Sequence, residues 1–217
     1  MEVDMKNKIE IKNLSKYIED IAILEEVSLC MEQGKVYGIV GKNGSGKTML
    51  FRMIAGLVKP SSGKIFYNGT EVIFEKKRPF SQGILIENAG MYPEFSGFEN
   101  LKFLASIQKK VKDEQIRKTI ERVGLNPKDK RKIRKYSLGM KQRITIAQAI
   151  MEEPELLLLD EPTNALDTSG VDEIRKIILE EKQRGAIVFL ASHNIEDIHM
   201  LCDEVFEIKE GKVHKVK

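Results

Sequence analysis

The chain has 217 residues, 41% hydrophobic and 32% charged, with 36 Lys+Arg against 33 Asp+Glu and a formal net charge of +3. That size suits one good-sized domain, or a domain with a sub-domain, of a soluble globular protein, and the mild charge balance gives no indication of nucleic acid as a partner. No run approaches the roughly 18 apolar residues of a membrane span, and the charged start MEVDMKNKIEIKN lacks an apolar signal core.

In chain order, KIEIKNL (8–14) and VSLCM (27–31) read as strands and Gly34 as a turn. KVYGIV (35–40) is a nearly continuous apolar run, as in a strand covered on both faces. It leads through GKNGSGKT into a helical pattern over 48–58, with Leu50, Ile54 and Leu57 at helical spacing. Pro60, Ser61, Ser62 and Gly63 mark a turn, and KIFYNG (64–69) reads as a strand ending in an Asn-Gly turn. After the strand-like GILIE (83–87), residues 98–123 look helical, with Ile116, Ile120 and Val123 on one apolar face and Asp113 as N-cap. The basic run KDKRKIRK (128–135) reads either as a solvated loop or as a face near anionic lipid or nucleic acid.

The last third alternates helices over 138–151, 171–184 and 194–202 with buried strands ELLLLD (155–160) and AIVFLAS (186–192). Residues 203–216 read as a closing hairpin that turns at Glu210-Gly211. Cys30 and Cys202 both sit in apolar-patterned segments and are expected to be reduced core thiols; with no C-x-x-C, a zinc site is not expected. The expected fold class is α/β with a mainly parallel central sheet, and the helical middle is an inserted sub-domain, about 88–152, within a single domain 1–217.

GKNGSGKT matches G-x-x-x-x-G-K-[ST] between a strand pattern and a helix pattern, the context the phosphate loop requires. Glycines let successive backbone N–H groups turn inward around phosphates, and the helix N-terminus adds positive potential. The nucleotide-binding residues are therefore Gly41, Lys42, Asn43, Gly44, Ser45, Gly46, Lys47, Thr48 and the adjoining Met49. Lys47 is expected to reach the β- and γ-phosphates of ATP, and the Thr48 hydroxyl to ligate Mg²⁺. The buried strand before Pro162 ends in two acids: Asp160 is placed to hold Mg²⁺, and Glu161 to take a proton from the attacking water.

YSLGMKQRITIAQAI (136–150) resembles the signature segment of the ATP-binding cassette (ABC) ATPases. That motif is usually written L-S-G-G-Q: Ser137 and Gly139 match it, while Tyr136, Leu138 and Met140 depart. NALD (164–167) resembles the family's D-loop, His193 its switch histidine, and Tyr17 lies at about the distance of the aromatic that stacks on adenine. The resemblance spans essentially the whole chain. It implies a P-loop NTPase core with an N-terminal antiparallel β part, and a head-to-tail dimer with ATP sandwiched between one phosphate loop and the partner's Ser137–Gly139. Where most cassettes carry Gln before the helical sub-domain, this chain has Glu87, while Gln82 precedes the strand. Glu87 either stands with the nucleotide and Mg²⁺ or points to solvent.

The run after Glu87 resembles the ATPase subunits of bacteriocin, lantibiotic and bacitracin-type exporters. The implied function is the ATPase subunit of a bacterial exporter of drugs or antimicrobial peptides. It is expected to lie in the cytoplasm on the inner face of the membrane, against separate integral-membrane permease subunits and a second ATPase subunit. Crowded apolar residues near Tyr92 and Phe95 are expected to receive a short permease helix. A soluble cassette that remodels nucleic acid or ribosomes, and a binding module without turnover, stand as alternatives.

Overall fold

The structure, a computed structural model, describes residues 7–86 and 90–217. The first strands are β1 (Lys8–Ile18), β2 (Ile21–Glu32) and β3 (Lys35–Val40), followed by helix α1 (Lys47–Ala55). Then come β4 (Ser62–Tyr67), β5 (Thr70–Glu71) and β6 (Gln82–Leu85). Helices α2 (Gly97–Gln108) and α3 (Asp113–Arg122), a short 3-10 turn (Ile133–Lys135) and α4 (Leu138–Ile150) precede β7 (Leu156–Asp160). The chain closes with α5 (Thr168–Arg184), β8 (Ile187–Ala191), α6 (Ile195–Leu201), β9 (Glu204–Lys209) and β10 (Lys212–Lys215).

β2-β1-β4-β5 form an antiparallel sheet, and β10-β9-β3-β8-β7-β6 form a second one in which all neighbours but β10 and β9 run parallel. The four leucines of β7 explain how the layers close. Leu156 and Leu158 pack with Leu50, Phe51 and Ile54 of α1 and with Ile9 and Ile11 of the antiparallel sheet. Leu157 and Leu159 face the opposite way, into a core built with Ile144 and Ile146 of α4 and Ile174 and Ile178 of α5. Side chains alternate along a strand, so a strand between two cores must be apolar at every position. Each such leucine contributes roughly 1.5–3 kcal/mol. Asp160 thus ends a rigid strand, and Glu161 follows directly after it.

Several elements differ from the sequence expectation for identifiable reasons. The helix expected over 48–58 stops at Ala55, because Gly56 takes the left-handed conformation (φ 76°) and its N–H closes on Arg52 and Met53; Leu57 beyond it is 62% exposed. The stretch 98–123 is two helices, broken at Lys109 with φ 56°. Ser96 caps the first through a reciprocal capping box with Glu99. Asp113 is the first helical residue rather than the N-cap, which is Lys112; its carboxylate accepts from Lys102 Nζ at 2.6 Å. Gln82 opens β6 rather than preceding it. Cys202 is buried as expected, but Cys30 faces solvent on β2. Ile133 of the basic run and Tyr136 just after it turn inward and the Lys and Arg side chains outward, with Lys132 and Arg134 paired to Glu94. Among the described residues no helix is long and apolar enough to cross a membrane.

Candidate active site

β3 and α1 are joined by a loop that turns on Gly41, Gly44 and Gly46 at φ 150°, 78° and 106°. A Cβ at Gly41 would lie 2.6 Å from the Ile208 carbonyl oxygen and from Ser45 Oγ, so no other residue fits there. The Lys47 ammonium is held over this loop, donating to the carbonyls of Gly41 (2.7 Å) and Lys42 (3.1 Å). The Thr48 hydroxyl, one residue into α1, donates to Asp160 Oδ2 at 2.8 Å, which joins the loop to the tip of β7.

Glu161 follows in the left-handed conformation, φ 52°. Its N–H is fixed by the Ala191 carbonyl at 2.9 Å, its Oε2 accepts from the His193 N–H at 3.3 Å, and His193 Nε2 stands 3.5 Å from Oε1. Burial pushes the Glu161 carboxyl above its ordinary value, partly offset by the His193 N–H and ring. Oε1 is buried without a hydrogen-bond partner. A half-buried carboxylate with a raised pKa and one uncommitted oxygen is suited to accept a proton. Lys47, Thr48, Asp160, Glu161 and His193 line one cleft of about 540 Å³ together with Asn43, Gly44, Gly46 and Met49.

The donor set fits Mg²⁺. Thr48 and Asp160 offer hard oxygens side by side, the chemistry that ion selects. Among the described residues no three His, Cys, Asp or Glu side chains gather to hold a metal by themselves. A site of one carboxylate completed by phosphate oxygens is how Mg²⁺ is commonly bound. Ser45 Oγ is buried in the phosphate loop with no hydrogen-bond partner.

Other expected residues lie elsewhere. Tyr17 is not among the residues of this cleft; it lines a separate hollow with Lys12, Ser62 and Phe66, while Ile23 of β2 lines the cleft. Register shifts along β1, the last between Lys16 and Tyr17, rotate the strand, so distance along the chain does not tell which face the ring takes. Ser137 caps α4, accepting from the Met140 N–H at 3.2 Å, and neither it nor Gly139 lines the cleft of its own chain. Gln82 pairs with Leu156, at the far end of β7 from Asp160, and donates to the Ala55 carbonyl at 3.0 Å. Glu87 lies outside the described residues.

Sequence reasoning missed a buried hub behind the site. Asp197 of α6, fully buried, accepts from Thr163 Oγ1 (2.6 Å), Ser192 Oγ (3.0 Å) and Arg175 Nε (2.7 Å). It thereby ties the loop after Glu161 to the loop that carries His193. Its signal was positional: Asp197 shares the apolar face of α6 with Leu201, four residues on, where a charged residue must find partners.

A family profile described as "ABC transporter" matches residues 24–164. The chain is 46% identical over 205 residues to "Uncharacterized ABC transporter ATP-binding protein YybJ" of Bacillus subtilis (strain 168), covering 94% of each. It is 39% identical to "Bacitracin transport ATP-binding protein BcrA" of Enterococcus faecalis, over 95% of this chain and 68% of that one. To "Lantibiotic transport ATP-binding protein SrtF" of Streptococcus pyogenes it is 36% identical, over 94% and 88%. Among solved structures, the dimeric bacterial ABC transporter cassette MJ0796 superposes with a TM-score of 0.86 at 22% identity, over 96% of this chain and 99% of that one. CbiO1 from Clostridium perfringens, described as part of the transporter complex cbiONQ, superposes with a TM-score of 0.79 at 28% identity, over 95% and 86%.

Proposed function

The chain belongs to the ABC transporter ATP-binding family and is an ATPase, and from that premise we propose that it drives a bacterial exporter of antimicrobial peptides or drugs. The observation that carries the reading is the single cleft in which a phosphate loop, the Thr48–Asp160 pair and the Glu161–His193 pair converge. The exporter assignment is supported by likeness to the bacitracin and lantibiotic transport proteins. The same relatives give no support to a nucleic-acid or ribosome remodeller.

In the proposed mechanism the loop N–H groups and Lys47 hold the β- and γ-phosphates. Thr48 and Asp160 would hold Mg²⁺, with Glu87 proposed from the sequence as a further ligand, and the bound ion would supply positive charge to the phosphates. Glu161 takes a proton as water oxygen bonds to the γ-phosphorus and the bond to the β,γ-bridging oxygen breaks; phosphate and ADP leave. Burial serves this step by raising the basicity of Glu161. His193 holds the carboxylate through its N–H on Oε2.

The remaining contacts come from a second copy, head to tail, whose Ser137 and Gly139 at the N-terminus of α4 meet the γ-phosphate. Tyr17 is proposed as the contact for the adenine ring. A permease receives the motion at Tyr92, Phe95 and Phe103, whose rings cluster with centroids 5.0–6.3 Å apart and stay 37–47% exposed. The assembly then works at the cytoplasmic face of the membrane.

The test is Glu161→Gln. ATP binding should persist while turnover falls roughly 10²–10⁴-fold, the usual worth of a positioned base. Uncleaved Mg·ATP should hold two chains together on a sizing column. A monomer at saturating ATP would overturn the head-to-tail site.

A further inference from the structure

The loop of residues 161–167 holds two non-glycine residues in the left-handed region, Glu161 at φ 52° and Ala165 at φ 64°. Each is a strained conformation for a residue with a side chain and persists only where the surroundings impose it. What imposes it is one face of α4. Gln142 Nε2 donates to both the Glu161 carbonyl (3.0 Å) and the Pro162 carbonyl (3.0 Å). Three residues earlier, Gly139 comes so near the loop that a Cβ would stand 3.0 Å from the Ala165 carbonyl oxygen. Positions three apart on a helix share a face, so the two contacts act as one clamp.

Glu161 is thus held from two directions. Its N–H is anchored on β8 through Ala191 at 2.9 Å, and its carbonyl on α4 through Gln142 at 3.0 Å. A displacement of α4 against the sheet must be absorbed by the backbone torsions of Glu161, which also aim its carboxylate. We propose that Gln142 is a positioning residue that transmits the state of the α4 N-terminus to the base. This rests on the reading above, in which Ser137 of the same helix engages the nucleotide bound by the second chain. Engagement of one nucleotide then sets the aim of the base that acts on the other, through five residues of a single helix. The primary amide is suited to this because one nitrogen carries two N–H donors, and it bridges two successive carbonyls without bringing a charge into the site.

The test compares the parent with Gln142→Glu, which keeps length and removes both donors, and with Gln142→Ala. The full chain is assayed for steady-state ATPase across ATP concentration, for nucleotide affinity and for melting temperature. A misaimed base predicts that kcat falls roughly tenfold to a hundredfold, with KM and nucleotide affinity changed less than about twofold. In a Glu161→Gln background, adding Gln142→Glu should leave the ATP-dependent pair of chains intact. Parent-like kcat in Gln142→Glu would overturn the proposal. So would kcat, affinity and melting temperature all falling together, the pattern of a merely structural residue. If Gln142→Ala does not fold, Gln142→Glu decides. Failure of Glu161→Gln alone to pair would instead overturn the head-to-tail reading.

Discussion

Asp197→Ala is the substitution whose cost follows most directly from the structure. Asp197 is 0% and Arg175 8% exposed, and their bond of 2.7 Å is one of three that the carboxylate accepts. Removing one partner of a buried ion pair leaves an uncompensated charge and costs roughly 3–5 kcal/mol. Two considerations bound the figure. Arg175 retains Glu196 at 3.2 Å and Asp172 at 3.5 Å, but both carboxylates are mostly exposed and such pairs are weak, about 0–1 kcal/mol each. Thr163 and Ser192 lose their acceptor, which adds about 1 kcal/mol apiece before overlap. The two nearly cancel, so about 3–5 kcal/mol is the expected result. At about 2–4 °C per kcal/mol for a domain of this size, the melting temperature should drop by about 6–20 °C. Differential scanning calorimetry of Asp197→Ala beside Asp197→Asn measures it, and the isosteric amide should lose less. Because Asp197 spans Thr163 and Ser192, kcat should also fall at 25 °C, where the variant is still folded. A melting temperature within about 2 °C of the parent would refute the hub.

Lys47→Ala should abolish tight ATP binding and turnover, since the ammonium supplies the charge contact to the phosphates; isothermal titration giving an unchanged affinity would place the site elsewhere. The raised pKa of Glu161 makes a signed prediction. A carboxyl that binds its proton more tightly when folded adds stability at low pH that is lost as pH rises through the folded pKa. Glu161→Gln should therefore be at least as stable as the parent near neutrality, with the gap closing below the ordinary carboxylate range of about 4–4.5; melting temperatures across pH that show the opposite trend would exclude it. Tyr92→Glu or Phe95→Glu should uncouple transport in membranes while basal ATPase continues, and undiminished transport would remove the docking surface.

The phosphate loop and the acids at the tip of β7 were legible because local geometry demands those residues: glycine where φ is positive, and apolar side chains on a strand between two cores. Boundaries were less legible where a single residue decides them. Lys109 takes a left-handed conformation that nothing in KKVK announces, and it divides one expected helix into two. The strand expected over 8–14 runs on to Ile18 and carries Tyr17, and the face its ring takes depends on register shifts in the pairing of β1 with β2. Cys30 points outward with Glu26 and Ser28, opposite Val27, Leu29 and Met31, an alternation that the apolar character of the thiol itself obscures. The apolar face of α6 marks Asp197 as a charge in need of partners, but the partners that define its role and that of Gln142 lie mostly 19 to 34 residues away in sequence, which only the assembled fold supplies.

The contrast between the two thiols gives the protein its own chemical reporter. Burial pushes the Cys202 thiol up to about 12, so its nucleophilic thiolate is almost absent at neutral pH. Cys30 stands in solvent on β2 and does not line the cleft. A maleimide should therefore add once to the native chain and twice to the unfolded one, readable as mass by intact-protein spectrometry. A dye carried at Cys30 would follow the pairing of two chains in solution without any engineered residue.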